Sequence, residues 1–445
     1  MAQKKLPESG MAQDALFAAL TDMKKNDMQY QDGRTFSLIY NAGQDVIEIG
    51  RRAFAMYLVE NGLSPFSFPS LKTMETEVIS MVASLLNGGD GAVGNMTTGG
   101  TESILMAVKA ARDRAHKKHP QITQPELIKA ATTHPAFNKA AHYLGLKVVT
   151  APVDKDFRMD ADAVRDAITD NTIFICASAF TYPHGVVDPI EDISALAAER
   201  GIWFHTDACL GGFILPFVEQ LGYDVPVFDF RAPGVTSMSC DLHKYGYCPK
   251  GASSVLYRNA ADRLHQYYAF ADFPGGVYGT PTMCGGRTGG PYAGAWAVMH
   301  YLGHDGYLRL AKQAMDTARK LQDGVRAIPG LDVLGAPHGT VFAMVGDNNH
   351  NIYAVSDFMT ESGWFLEKQQ MPASLHVTTS PYHAEVADQF LADLALAAKK
   401  AEGMDGSKLS QEAAMYGMMA TMPDRALARD LALQFLNDLY KLESK

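Results

Sequence analysis

The sequence predicts an α/β fold: a large domain on a mostly parallel sheet, followed by a smaller α/β domain. Three observations predict it. From about residue 92, short apolar strand patterns alternate with helical ones, as in repeated βαβ units with helices on both sheet faces. The chain has 445 residues, more than one compact core accommodates. Past a glycine-rich region at 275–290, a long helical pattern from about 293 toward 321 leads into a second mixture of strands and helices. The division placed on this pattern is an N-terminal segment at 1–55, a large domain at 56–305 and a small C-terminal domain at 306–445.

In order, the chain begins polar and then reads as an amphipathic helix around 15–23. Residues 36–43 are a short apolar stretch ending in a turn, and 46–60 has helical periodicity. Pro65-Phe66-Ser67-Phe68-Pro69 interrupts it, because proline and the residue before it resist the α conformation. A helix is predicted over 74–86, with Met74, Val78, Met81, Val82 and Leu85 on one stripe. The glycines of 87–91 stop it. Then come a helix over 101–115, strands over 146–150 and 172–177, a helix over 193–199 and a strand over 202–206. Strands over 235–239 and 254–257 flank Lys244. Further on, strands are predicted at 341–345 and 375–378, and helices at 353–361 and 384–400. A loop at 403–410 and one or two closing helices over 411–442 complete the chain. In such sheets ligands bind at the carboxyl ends of the strands. That brings Asp207, His243, Lys244 and the glycine turn before Thr101 to one edge.

Composition narrows the function classes. With 47% hydrophobic and 20% charged residues the chain reads as a folded soluble protein. A formal charge of −10 argues against nucleic acid or an anionic membrane as the main partner, since both require a basic face. An anionic small molecule needs only a local cluster. The five cysteines form no Cys-x-x-Cys, which fits reduced thiols in a cytoplasmic protein. Residues 1–14 lack the apolar core of a signal peptide, and no apolar run approaches a membrane span.

Five places could carry chemistry. Thr97-Thr98-Gly99-Gly100-Thr101-Glu102-Ser103 opens a helix, and helix starts offer free N–H groups and a positive dipole end to phosphate. It is not a P-loop, because no Gly-Lys-Ser/Thr follows. His134, before another helix, is placed to stack on a flat ring. Asp207 ends the apolar strand Trp203-Phe204-His205-Thr206, and aspartate is rarely buried without a partner. Lys244 lies on a turn between two buried strands. Desolvation there would lower its pKa and make it an amine able to form a Schiff base. The glycine-rich run 273–290, with Tyr278 and Arg287, suggests backbone passing close to a ligand or a partner subunit. Singly, each has an ordinary reading: a capped helix start, a surface histidine, a turn cap, a solvated lysine, a loop. In this chain order the first four describe a pyridoxal-phosphate site, whose requirements include a Schiff-base lysine and an acidic partner for the pyridine nitrogen. No metal site is expected, since His116 and His119 sit in a basic run without carboxylate or cysteine neighbours.

These residues resemble the sphingosine-1-phosphate lyase branch of the pyridoxal-phosphate-dependent group II decarboxylase superfamily. His205-Thr206-Asp207-Ala208-Cys209-Leu210-Gly211-Gly212-Phe213 resembles that branch's His-Val-Asp-Ala-Cys-Leu-Gly-Gly-Phe. Asp241-Leu242-His243-Lys244-Tyr245-Gly246 resembles its Asp-Thr-His-Lys-Tyr-Gly, and 98–103, 134–140 and 414–418 match as well. The resemblance implies a fold-type I homodimer with shared active sites and pyridoxal 5′-phosphate as cofactor. The implied activity is retro-aldol cleavage of a phosphorylated long-chain amino alcohol, such as sphingosine 1-phosphate, to a fatty aldehyde and phosphoethanolamine. It also implies roles. Lys244 forms the Schiff base, Asp207 pairs with the ring nitrogen, and His134 stacks on the ring. Gly99, Gly100, Thr101 and His243 hold the cofactor phosphate. Tyr40, Asn61, Ser64, Lys250 and Arg287 surround the substrate, and Tyr278 reaches a neighbouring subunit's site. Tyr40, Tyr278 and freed Lys244 are the acid–base candidates. Two positions depart from the branch: Ser64 stands where it carries histidine, and Gly286 where it carries serine. Both bear on the substrate and neither on the cofactor. The rival reading is a group II amino-acid decarboxylase, which would share the aspartate and the His-Lys pair and release carbon dioxide. A scaffold without turnover is disfavoured by the intact Asp207 and Lys244.

Overall fold

The computed structural model describes residues 5–28, 30–404 and 409–441. Its main sheet has seven strands: β1 (Val93–Thr97), β2 (Glu126–Ala130), β3 (Lys147–Ala151), β4 (Thr172–Ser178), β5 (Trp203–Asp207), β6 (Val235–Cys240) and β7 (Ser253–Tyr257). Their order is β1-β7-β6-β5-β4-β2-β3. The five from β6 to β3 are parallel, and β7 runs against both of its neighbours. The sheet is therefore mostly parallel, as the alternating pattern predicts.

Alternation along the strands sorts side chains to two faces. Leu127, Phe174, Trp203 and Val255 pack with Ile104, Val108 and Phe137 on one side. Their immediate neighbours Ile128, Ile175, Phe204 and Leu256 pack with Val78, Val82 and Phe213 on the other. Helix Gly100–Lys118 covers the first face and helix Pro69–Leu85 the second.

Several boundaries differ from expectation for physical reasons. Pro69 does not lie outside a helix but starts one, at the first position, where the missing N–H costs nothing. The preceding helix, Gln44–Met56, ends four residues short of residue 60. β2 carries Glu126 and Lys129, which hide it in the sequence. Glu126 accepts from Lys147 Nζ at 2.8 Å and Thr169 Oγ1 at 2.6 Å, and Lys129 donates to the Ala130 carbonyl at 3.0 Å. The glycine-rich run supplies the turn and second strand of a hairpin of β8 (Tyr268–Phe270) and β9 (Tyr278–Thr280). The long helix spans Gly289–Ala327 but breaks at Gly303, whose φ is 57°.

The remaining strands, β10 (Leu331–Val333), β11 (Val341–Gly346), β12 (Glu367–Gln369) and β13 (Ser374–Thr378), form an antiparallel sheet in the order β10-β11-β13-β12. Helices Ile352–Glu361 and Ala387–Ala401 pack on it. Phe36, far upstream, belongs to this second core and stacks on His383 with ring centroids 4.2 Å apart. Its carbonyl accepts from Thr378 N at 2.7 Å. The chain closes with two helices, Gln411–Thr421 and Arg425–Leu439. Residues 405–408 of the expected loop, and residue 442, lie outside the described residues.

The two sheets meet where Gly185 approaches β11. The Gly185 carbonyl accepts from His338 N at 3.0 Å, and Val187 N donates to His338 Nδ1 at 3.1 Å. Gly185 has φ 69°, and a Cβ there would fall 1.8 Å from the Val341 carbonyl oxygen. Gly201 has a similar φ of 67° with open space around it. Gly201→Ala is expected to cost about 1 kcal/mol, the left-handed backbone penalty alone. Gly185→Ala is expected to cost about 3 kcal/mol, because the clash adds to that penalty. Equilibrium urea unfolding of the two variants checks the difference.

Candidate active site

Because β7 is antiparallel to both β1 and β6, those two strands run the same way. Thr97, Asp207 and Cys240 thus end their strands at one edge of the sheet. A cavity of about 570 Å³ opens there. Its walls include Tyr40, 98–102, His134, Asp207, Asp241, His243, Lys244 and Lys250.

The loop after β1 is pinned by its own helix. Glu102 Oε2 accepts from Thr98 N and Thr98 Oγ1, both at 2.7 Å. Its other oxygen accepts from Met283 N at 3.0 Å, which ties this loop to the glycine-rich run. Ser103 Oγ lies 2.6 Å from Thr97 Oγ1 and 2.8 Å from Ser253 Oγ. Gly100 is required by proximity: a Cβ there would lie 2.8 Å from both Asp241 Oδ2 and Cys209 Sγ. The first N–H groups of the helix have no carbonyl partner within it, so this end attracts anions.

Asp207 is 7% exposed. Its Oδ1 accepts from Cys209 N and Ser239 Oγ, each at 3.1 Å. Lys244 follows β6 on a turn closed by its own N–H to the Asp241 carbonyl at 3.2 Å. Its Nζ lies 2.9 Å from Asp241 Oδ2. Burial by itself would depress the lysine's pKa, as expected from sequence. The adjacent carboxylate outweighs burial, and the lysine is held above its ordinary value. For Asp241, likewise, burial pushes upward but Lys244 and His243 bring the pKa below the ordinary carboxylate value.

Both histidines are held neutral. Desolvation pushes His243 down to about 4, and its Nδ1 accepts from Ala252 N at 3.2 Å. His134 is open to the cavity, with Nδ1 accepting from Ala136 N at 3.1 Å, and desolvation lowers its pKa. Lys250 donates to the Leu38 carbonyl at 2.9 Å and sits 5.2 Å from the Tyr40 ring centre. Desolvation, then repulsion from Lys244, pushes it down to about 8. Burial pushes the Tyr40 phenol up to about 12.

The other four expected residues lie outside this cavity, with Asn61 and Arg287 joined to each other. Asn61 Oδ1 accepts from Leu63 N and from Arg287 N, both at 2.9 Å. Arg287 Nη1 pairs with Glu75 at 2.8 and 2.9 Å, and Nη2 donates to the Gly62 carbonyl at 2.8 Å. Ser64 Oγ lies 2.9 Å from Ser67 Oγ, and Tyr278 stands on β9. Sequence reasoning missed Asp241, although it directly follows the buried strand Val235–Cys240 much as Asp207 ends β5. It also missed Tyr182, which lines the cavity, stacks on His376 at 4.1 Å and donates to the Glu367 carboxylate. Among the described residues no His/Cys/Asp/Glu group is arranged to hold a metal ion.

The similarities to known proteins agree with this geometry. A family model described as the pyridoxal-dependent decarboxylase conserved domain matches residues 2–338. The chain is 42% identical over 443 residues to a sphingosine-1-phosphate lyase of Arabidopsis thaliana, covering 98% of this chain and 81% of that protein. It is 32% identical over 369 residues to a probable L-tyrosine/L-aspartate decarboxylase of Methanothermobacter thermautotrophicus, covering 80% and 95%. The solved structure of a sphingosine-1-phosphate lyase of Burkholderia pseudomallei superposes with a TM-score of 0.90 at 39% identity, covering 99% of this chain and 98% of that one. The family model thus runs through all seven strands of the main sheet, and the chain belongs to the pyridoxal-dependent decarboxylase family.

Proposed function

We propose that this chain is a pyridoxal-phosphate-dependent aldehyde lyase. Its substrate is a phosphorylated long-chain amino alcohol such as sphingosine 1-phosphate, and its products are a fatty aldehyde and phosphoethanolamine. The observation that carries the reading is the meeting of Lys244, Asp207 and His134 in one cavity with the helix start at Gly100. The cavity suits the cofactor: Gly100 leaves room where any Cβ would strike Asp241 and Cys209, beside free helix-start N–H groups. Gly99, Gly100, Thr101 and His243 would hold the phosphate, Asp207 the ring nitrogen, His134 the ring face and Lys244 the carbonyl carbon. When bound, the cofactor supplies an electron sink that lets a bond at the substrate's α-carbon break.

The chain's own residues do the rest. Asp207 is oriented by Ser239 and the Cys209 N–H, so its charge stays directed at one place. Tyr40, pushed up to about 12, is a neutral phenol at neutral pH and serves as a proton donor rather than a standing base. Lys244, when free, returns a proton to the substrate carbon. Lys250, at the cavity wall beside Tyr40, meets the substrate phosphate.

Asn61, Ser64, Arg287 and Tyr278 serve the cavity of a second copy in a homodimer. Supporting this, apolar side chains beside these residues face solvent in the single chain: Phe66 is 96%, Val59 86% and Val277 79% exposed. The break at Gly303 supports a domain division near residue 305. Five free thiols support a cytoplasmic location. No described helix is long and apolar enough to cross a membrane.

Incubation with sphingosine 1-phosphate is expected to release long-chain aldehyde and phosphoethanolamine in equal amounts, read by mass spectrometry. Lys244→Ala is expected to lose both products, and with them the visible absorbance of the cofactor-loaded protein. Carbon dioxide from an amino acid, without aldehyde, would select the decarboxylase reading instead.

Lys250 supplies a pH test. Its pKa of about 8 makes it a cation below that pH and neutral above it. The substrate phosphate is already fully ionised there. KM is therefore expected to rise roughly tenfold between about pH 7 and about pH 9. Lys250→Met is expected to show a high KM throughout and a flat profile.

A further inference from the structure

Three carboxylates line the cavity, and their surroundings separate their tasks: Glu102 is spent on Thr98 and the Met283 N–H. Asp207 Oδ1 is committed to the Cys209 N–H and the Ser239 hydroxyl. Asp241 is less committed: the Ser253 hydroxyl favours its charged form, but the main support comes from Lys244. It is 2% exposed, its Oδ1 has no hydrogen-bond partner, and its Oδ2 lies 2.9 Å from Lys244 Nζ. We propose that Asp241 is a positioning residue that holds the proton on the Lys244 nitrogen, both when the amine is free and when it is joined to a carbonyl carbon. The inference rests on reading Lys244 as the carbonyl-reactive lysine.

A buried carboxylate with an orphan oxygen persists only if an opposite charge answers it. The other titratable groups in its field are Tyr40, His134, Cys209, Cys240, His243 and Lys250. Burial keeps the tyrosine, the thiols and both imidazoles uncharged at neutral pH. Lys250 directs its ammonium to the carbonyls of Leu38 and His243. His243 Nε2 stands 3.7 Å from Oδ2, beyond hydrogen-bond range. The charge of Asp241 is thus answered by Lys244. Gly100 guards the arrangement, because a Cβ there would crowd the same Oδ2 at 2.8 Å. The chemical consequence is direct. A nitrogen that keeps its proton makes an attached carbon more electrophilic, so the incoming substrate amine displaces the lysine more readily.

The test uses the full-length, cofactor-loaded protein, with visible absorbance recorded from about pH 6 to about pH 10. Asp241→Asn keeps the shape and removes the charge. Its absorbance transition is expected to move toward acid by roughly one to three pH units. Asp241→Glu restores the carboxylate and is expected to titrate close to wild type. A merely structural role would lower thermal stability and leave the transition in place, so a transition in Asp241→Asn at the wild-type pH overturns the proposal. If Asp241→Asn folds but takes up no cofactor, Lys244 is trapped with pyridoxal and borohydride across the same range. The modified peptide is then quantified by mass spectrometry. Trapping at lower pH than in wild type supports the proposal, and identical profiles overturn it. The outcomes also separate this inference from the functional reading. A wild-type visible band that survives Lys244→Ala defeats that reading, while the trapping profiles still decide the role of Asp241.

Discussion

Strand β7 runs against both of its neighbours, and the cavity follows from that reversal. The chain leaves β6 at Cys240, makes the turn that carries Lys244 and comes back along the same strand. The turn is closed on itself by His243 N to the Ala252 carbonyl at 2.9 Å and Cys248 N to the Leu242 carbonyl at 3.1 Å. A side chain on so short a span between two paired strands has little freedom. The return strand also sets β1 beside it with the direction of β6, which delivers the helix start at Gly100 to the same edge. The distant sequence motifs converge through backbone pairing, and the side chains inherit their geometry.

The electrostatics of the edge follow from the same burial. Desolvation removes the charge from both histidines, raises the phenol of Tyr40 and lowers Lys250. It pulls Lys244 down as well, but the adjacent Asp241 carboxylate opposes it and the lysine stays above its ordinary value. Charge in the cavity is therefore confined to its carboxylates and to Lys244 and Lys250. Such a site responds to pH through a few identified groups, while the imidazoles remain fixed hydrogen-bonding surfaces.

Much of this was legible in the sequence, and the exceptions have physical causes. Asp207 and Lys244 were readable because continuous apolar runs precede or flank them and mark strand ends. β2 was not, because Glu126 and Lys129 break its apolar pattern; Glu126 is satisfied by Lys147 and Thr169, and Lys129 by the carbonyl of its own neighbour Ala130. Arg287 in a glycine-rich loop looks like a ligand residue. Its partner in this chain is Glu75, over two hundred positions upstream, and no local pattern announces such a pair. The Tyr182–Glu367 contact is equally non-local. Asp241 is different, since it opens the stretch Asp241-Leu242-His243-Lys244 itself. A strand-end carboxylate three residues before a buried lysine carries the same signal as Asp207.

Phe36 gives the N-terminal segment a second meaning. It is locked into the core of the antiparallel sheet, while Leu38 and Tyr40, a few residues on, line the cavity together with Thr378 of β13. The loops that suit the cofactor belong to the parallel sheet, and this stretch of the rim bridges the two, with Phe36 in the second core and Tyr40 packed on the first. A shift of one sheet against the other would therefore be felt at the rim, through a short tether of chain anchored at both ends.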